Sequence, residues 1–536
     1  MRRLTVARSL LIGAALSLAV GCGGGDGGDG TPHFIDETAT AGIDHRYTGE
    51  FAYFVGGGVA AFDCNGDTRD ELFIAGGSSP AALYRNDSKV GGTLQFTALP
   101  SPVTDLTDVT GAYPLDIDAD NETDLMVLRR GAGNVLLRGL GDCRFEDATA
   151  TLGIYPGRAW TVAFSAMWEG DASLPTLAFG NYLVPDGDTC GDSELVRPNG
   201  STYDTPITLS PSYCTLSVLF SDWGRTGQRD LRMANDRHYY LDGSEQLWKI
   251  PAGKSPTLYT EADGWKPLQI WGMGIASHDL TGDGKPEVFI TSQGDNKLQT
   301  LDTGATGPTY HDIAVDRGVT AAQPYAGGDV LPSTAWHPEF EDVNNDGFID
   351  LFVTKGNVQA QVDNAKLDPS NLLMGQPDGT FVERAEQAGV TAYDKARGAA
   401  LVDLNLDGLL DMVVVNREAN ITIRRNVGDG NAEHPASAGH WLQVQVHQPG
   451  PNANAIGGWL QVKVGDRIIE RELTIGGGHA GGKLGWIHTG LGDAVSAEVR
   501  MQWPDGELGP WMPVTADTFI TIDRASDQPT TFVPKD

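Results

Sequence analysis

The sequence predicts an all-β protein, a seven-bladed β-propeller of four-stranded blades followed by a small β-rich domain. Three observations predict it. Glycine supplies 69 of 536 residues, about twice average usage, which favours many tight turns over a helical bundle. A carboxylate-rich nonapeptide recurs along most of the chain, each copy followed by an apolar β-type triplet. A second element, with an aromatic and an Ile or Val nine residues apart, recurs in phase with the first. The charge balance narrows the class further. Lys and Arg total 38 against 71 Asp and Glu, a formal charge of −33. A nucleic-acid groove needs the opposite sign, so nucleic acid is excluded as a partner.

The N-terminus reads as a targeting segment. Arg2, Arg3 and Arg8 precede a short apolar run from Ser9 to Val20, too short for an ordinary span. Cys22 follows small residues, as in a bacterial lipobox, although Ala19 stands where a larger aliphatic residue is usual. The expectation is a signal peptide over 1–21, a lipidated Cys22, and a Gly-rich tether over 22–32 that lets the folded part stand off a membrane. Gly23 rather than Asp after Cys22 favours an outer membrane, and plain secretion is the alternative. No later segment is long and apolar enough to span a bilayer. Four cysteines remain, and export permits disulfides. Cys190 and Cys214 share one Pro/Gly-rich stretch and are the favoured pair, which leaves Cys64 with Cys143; buried free thiols are the alternative.

The nonapeptide copies start at Asp63, Asp116, Asp279, Asp342 and Asp403, with a degraded copy at Asp222. The spacing between Asp116 and Asp222 is twice that between Asp63 and Asp116, so one unit is hidden near residue 169, where strand-like flanks persist without the motif. That makes seven units over about 33–430, and radially arranged four-stranded blades are their natural home. Small residues precede most copies, as in Gly58-Val59-Ala60-Ala61, Gly111-Ala112 and Gly398-Ala399-Ala400, so each first strand should pack closely. The second element begins at Phe34, Phe145, Tyr310 and Phe381. It normally follows a blade, but the Phe34 copy precedes the first. The N-terminal strand is therefore expected to complete the seventh blade and close the ring.

Several carboxylates within nine residues repel one another unless a cation lies among them. Hard oxygen donors at alternating positions suit Ca2+, which takes six to eight oxygens. Positions 1, 3, 5 and 9 supply side chains: Asp63, Asn65, Asp67 and Glu71; Asp116, Asp118, Asp120 and Asp124; Asp279, Thr281, Asp283 and Glu287; Asp342, Asn344, Asp346 and Asp350; Asp403, Asn405, Asp407 and Asp411. Position 7 offers a carbonyl, and Gly at position 6 allows the sharp turn. The loops at Asp342 and Asp403 match throughout. Asn121 and the β-branched Thr68 replace Gly in two others, and the Asp222 loop, with Gly224 and Thr226 at ligand positions, is expected to be empty. An EF-hand opens in the same way but needs Glu at position 12 and a helix; Ile74, Val127, Ile290, Val353 and Val414 stand there instead.

These repeats resemble the FG-GAP/VCBS repeats of integrin-α-like propellers. From Gly439 the chain reads GHWLQVQVHQPGPNANAIGGWLQVKVG, then RELTIGGGHAGGKLGWIHTGLGD and VRMQWPDGELGPW, which resembles the ASPIC/UnbV domain found after such repeats in cartilage acidic protein and its bacterial relatives. The resemblance implies a calcium-binding propeller and a β domain over about 436–525, and brings no established reaction. Residues alone agree, since Trp441–Val446, Trp459–Val464 and Ala497–Trp503 alternate between Gly and Pro clusters.

Other motifs carry little. Gly477–Lys483 satisfies the phosphate-loop spacing, but Leu484 replaces the Ser or Thr and β-type residues follow, so a Gly-rich turn is expected, with His479 and Trp486 as surface contacts. Trp336-His337 and Trp271 read as blade packing. Thr189–Ser212 is a long loop on the degraded units. The functional expectation is a lipid-anchored, extracytoplasmic, calcium-stabilised module that binds a protein or a glycan without catalysis. The alternatives are a hydrolase-like propeller enzyme and a structural envelope component.

Overall fold

The structure is a computed structural model and describes residues 30–155, 157–184, 187–236, 243–320, 333–358 and 368–535. The expected signal peptide over 1–21, Cys22 and residues 23–29 lie outside the described residues. Strands dominate; the helical elements among the described residues are short turns at Phe51–Phe54, Glu261–Asp263 and Ala314–Arg317.

Among the described residues seven sheets with four antiparallel strands each follow one another, and the first gains a fifth, parallel strand from Gly482–Leu484. Their inner strands are Val59–Phe62, Val109–Leu115, Thr161–Met167, Thr215–Ser221, Gly272–His278, Ala335–Glu341 and Lys395–Val402. Each inner strand touches the next, and the seventh touches the first, so the sheets form a closed ring. In the second to seventh sheets a register irregularity interrupts the inner strand near its start, which bends the strand where it enters the centre.

The second sequence element forms outermost strands. Phe145–Asp147, Tyr310–Asp312 and Phe381–Glu383 close the second, fifth and sixth sheets. Phe34–Asp36 pairs with Thr422–Asn426 and completes the seventh, so the two ends of the repeat array are hydrogen-bonded together. The expected tether stops short of residue 32: Thr31 is buried, and the Gly30 carbonyl accepts a hydrogen bond from Asn344 Nδ2 at 2.8 Å.

The hidden unit is real and shares the frame of the others. In six sheets the residue before nonapeptide position 1 pairs with position 9, as in Phe62 with Glu71 and Val402 with Asp411. In the third sheet Met167 pairs with Thr176. That places Trp168 at position 1 and Thr176 at position 9, so the turn survives without its ligand set. Thr189–Ser212 is no free loop either. It supplies the outer strands Ser193–Val196 and Ile207–Leu209 of the third sheet.

The disulfides are Cys64–Cys143 and Cys190–Cys214. The first ties the Asp63 loop to the outer hairpin of the second sheet.

The C-terminal part is a sandwich of two four-stranded sheets. One is centred on His440–His447, flanked by Ile487–Gly492 and Thr518–Asp523, and carries Thr530–Phe532 at its edge, beyond the expected end at 525. The other is centred on Trp459–Val464, flanked by Arg467–Glu472 and Ser496–Gln502, with Met512–Thr515 outermost. Leu442, Val444, Leu460, Val499 and Ile520 fill the space between the sheets. This core runs on into Tyr113 and Phe164 of the ring, so both parts share one apolar interior.

Candidate metal centres

The five acidic loops share one hydrogen-bond scheme, set by the strand register. The position 1 carboxylate accepts from the position 6 N–H: Thr68, Asn121, Gly284, Gly347 and Gly408 donate over 2.7–3.2 Å. Position 6 takes positive φ in each, from 66° at Asn121 to 86° at Gly347, which is why glycine recurs there and why Thr68, at 75°, is strained. One oxygen of position 5 accepts from the position 7 N–H, as in Asp346 from Phe348 at 2.8 Å and Asp407 from Leu409 at 3.0 Å. The position 9 carboxylate accepts from the position 2 N–H on one oxygen and from the third strand on the other. Asp350 is bound by Val343 N and Gly375 N, and Asp411 by Leu404 N and Asn426 N.

The backbone therefore orients each carboxylate and leaves oxygens over. Asp116 Oδ1, Asp118 Oδ1, Asp342 Oδ1 and Asn405 Oδ1 are buried without a hydrogen-bond partner. Acceptors without donors in three of these turns, two of them together in the Asp116 loop, fit a cation. Asp116, Asp118 and Asp120 bring one oxygen each within 4.8 Å of one another. Burial, helped by repulsion from neighbouring carboxylates, pushes Glu71 up to about 9, Asp124 to about 8, and Asp116 and Asp279 to about 6. Asp342, Asp350, Asp403 and Asp411 rise well above the usual carboxylate range for the same reasons. A divalent cation among them would offset both effects.

The degraded loops solve the same problem with protein donors. Asp230, at position 9 of the Asp222 loop, accepts from Trp223 Nε1 at 2.9 Å, Tyr259 Oη at 2.8 Å, Ile250 N at 3.0 Å and Gln228 Nε2 at 3.3 Å. Both oxygens of Asp230 thus have protein donors. In the third sheet Thr176 and Arg197 both donate to Glu169, each at 2.7 Å.

The acidic loops all lie at one end of the ring, and the C-terminal domain sits on that end. Trp486 Nε1 donates to the Thr68 carbonyl at 3.1 Å, and His488 Nε2 lies 2.6 Å from Asn345 Oδ1. Gly490 passes so close to Asp342 that a Cβ would fall 1.9 Å from Oδ2. Arg225 stacks on Trp459 at 3.9 Å, and Glu472 accepts from Ser221 Oγ and Asp222 N. Lys483 bonds Glu339 at 2.6 Å and Glu341 at 2.5 Å, while Arg471 clasps Glu341 at 2.5 and 2.8 Å. A cavity of about 710 Å³ remains between the two parts, lined among others by Asp63, His278, Asp279, Trp459, Arg471 and Trp486.

The Gly-rich segment is the feature that sequence reasoning misread. It is not a surface turn. Residues 475–484 enter the centre of the ring and meet its inner strands one after another. Ile475 bridges Ala166, Gly476 bridges Leu219, Gly478 bridges Ile275 and Gly481 bridges Ala112. Gly482–Leu484 then pairs in parallel with Ala60–Phe62. A Cβ at Gly58 or Gly111 would lie 1.8 Å from the Ala480 carbonyl oxygen, so only glycine permits this approach. His479, expected at the surface, is fully buried. Its Nδ1 faces the Met273 carbonyl at 3.3 Å, its Nε2 accepts from Gly56 N at 3.2 Å, and its ring packs on Trp336. Burial holds its pKa down at about 3. The small residues before each nonapeptide were the available signal, since they line the centre that the segment fills.

Residues 63–127, 279–353 and 342–414 match the FG-GAP-like repeat family, and residues 448–529 match ASPIC and UnbV. The chain carries FG-GAP-like repeats followed by an ASPIC and UnbV domain. Cartilage acidic protein 1 of Mus musculus is 29% identical over 159 residues, 27% of this chain and 21% of that protein, so the match spans about a fifth of the relative. Solved structures with a similar course include the BP39L lectin from Burkholderia pseudomallei, 14% identical over 72% of this chain and 99% of that one, with a TM-score of 0.44. Another is an Agrocybe aegerita lectin, 15% identical over 67% of this chain and 88% of that one, with a TM-score of 0.38.

Proposed function

We propose that this FG-GAP-like repeat protein is a calcium-stabilised, non-catalytic binding module, held outside the cytoplasm by a lipid on Cys22. The observation that carries the reading is the filled centre of the ring. An enzyme built on such a ring assembles its site from distant sheets around the middle, and here residues 475–484 occupy that place. The acidic loops serve structure in this reading. Each supplies oxygens to one Ca2+, which locks the turn between the first two strands of its sheet.

The C-terminal domain covers the acidic end, so a protein or glycan ligand is met at the other. There Phe51 is 45% exposed and stacks on Phe54 at 4.9 Å. Beside them the Arg130 guanidinium lies over Tyr53 at 5.1 Å and Trp160 at 4.9 Å. Aromatic faces beside a cation suit sugar rings and protein hot spots alike. The test is a pull-down from solubilised envelope with parent protein and Phe51→Ala, with and without calcium, alongside a hydrolase substrate panel. A captured ligand lost in Phe51→Ala supports the reading. Turnover abolished by one carboxylate substitution that leaves the melting temperature intact overturns it.

A further inference from the structure

We propose that the C-terminal domain completes the cation site of the seventh sheet, with Gln443 as a ligand from outside the nonapeptide. The inference rests on the calcium reading above and goes beyond it, because it makes one site the joint property of two domains. Gln443 lies in the central strand His440–His447, directly opposite His488 of the neighbouring strand, and is 1% exposed. Its side chain reaches the Asp403 loop, where Nε2 lies 3.2 Å from Asp403 Oδ2. The amide oxygen Oε1 is buried without a hydrogen-bond partner, and so is Asn405 Oδ1 in the same loop. Asp403, Asn405 and Asp411 are all buried, away from bulk solvent.

Two orphan oxygens beside three carboxylates are the wrong chemistry for a closed hydrogen-bond network and the right one for a hard cation. The two ends of an amide are nearly isosteric. Turning the Gln443 amide over brings its oxygen toward Asp403, an arrangement that repels unless a cation lies between the two. With the cation present, that turn gives up the Nε2 bond to Asp403, gives Oε1 a partner and adds a neutral oxygen to the loop's own donors. Calcium's six to eight positions leave room for it beyond the side chains of positions 1, 3, 5 and 9 and the position 7 carbonyl. Cation affinity at this loop then depends on the C-terminal domain being docked, and docking depends on the cation.

The geometry also supplies the probe. Trp441 lies over Gly408 of the same loop, where a Cβ would fall 1.9 Å from its Cε2. Terbium in this site is therefore excited through Trp441. In the full chain, Trp441→Phe and Asp411→Asn should each remove one tryptophan-sensitised terbium component, which assigns it to this loop. Gln443→Ala should weaken calcium's displacement of that component by about tenfold and leave the others unchanged, while Gln443→Glu should restore or tighten it. Unchanged affinity of the assigned component in both Gln443 variants overturns the proposal and leaves the calcium reading standing. A parent protein that binds neither terbium nor calcium removes both.

Discussion

If the Gly-rich segment fills the ring, His479 must report it through pH. The imidazole is fully buried beside the Arg397 guanidinium and the His337 ring, which accepts a hydrogen bond from His479 N at 3.0 Å; Glu339 stands behind His337. Its acceptor nitrogen already takes the Gly56 N–H, so a proton there would meet a donor. Burial depresses the folded pKa to about 3, against 6.5 for the free side chain. Between those values the unfolded chain binds one proton more than the folded chain. The stability from neutral His479 is thus complete above pH 6.5 and lost as pH falls toward 3. The slope is about 1.4 kcal/mol per pH unit, or about 2 kcal/mol by pH 5. Other groups titrate in this range, but they do so equally in a His479→Gln variant, so the difference between the two proteins isolates His479. Urea unfolding followed by tryptophan fluorescence at saturating calcium should show the parent's advantage over His479→Gln shrinking by about 2 kcal/mol from pH 7.5 to pH 5. A gap constant to within about 0.5 kcal/mol means that His479 titrates as an exposed histidine. In that case the segment does not occupy the centre.

Chelation with EGTA should lower the melting temperature markedly: at ten times Kd each independent site contributes about 1.4 kcal/mol, so five contribute at most about 7, and no shift would refute the cation assignment. Asp403→Ala should cost more than Asp63→Ala, because Asp403 is buried between two domains while Asp63 is half-buried in a loop strained at Thr68; equal melting temperatures would count against that ranking. Gly58→Ala should displace residues 475–484 and expose their amides to hydrogen exchange, whereas Gly66→Ala, which strains its own turn through a φ of 77° but brings the added Cβ within 4 Å of no atom, should leave them protected. Protection unchanged in Gly58→Ala contradicts the close approach to Ala480. Palmitate labelling in a bacterial host should disappear in Cys22→Ala, and labelling that survives removes the lipid anchor from the proposal.

The ring was legible because its constraints are local and repeated. The pairing of the residue before position 1 with position 9 fixes the nonapeptide length, so carboxylates at 1, 5 and 9 recur at constant spacing wherever the turn keeps its donors. The same register explains what was hard to read. The third sheet keeps the turn with Trp168 and Thr176 at its ends and has no ligand to conserve, so only strand-like flanks mark it. Its outer strands come from Thr189–Ser212, where Pro and Gly obscure the alternation. The segment that fills the ring left no periodic trace at all. Its partners are inner-strand backbones drawn from many sheets, and close backbone approach selects glycine rather than an apolar pattern. Glycine alone reads as a turn.

The placement of the two basic residues at the ends of that segment argues that the domains form one body. Arg471 precedes the entry into the ring and Lys483 lies in the last strand of the passage, yet both converge on Glu341, which is 1% exposed at the end of the sixth inner strand. Burial opposes the Glu341 charge, but the Arg471 and Lys483 charges outweigh it and hold its carboxyl well below the usual range. Such a cluster adds little net stability over apolar packing, but losing one partner strands a buried charge, so it fixes register strongly. Lifting the C-terminal domain would break this cluster, withdraw residues 475–484 from the inner strands, and separate Gln443 and Gly490 from the Asp403 and Asp342 loops. The cluster, the filling segment and the Gly490 contact cannot be released separately, because one continuous stretch of chain carries the first two and the next strand carries Gly490. The ring is therefore closed twice by distant parts of the chain. Phe34–Asp36 closes it at the rim and residues 475–484 close it at the centre.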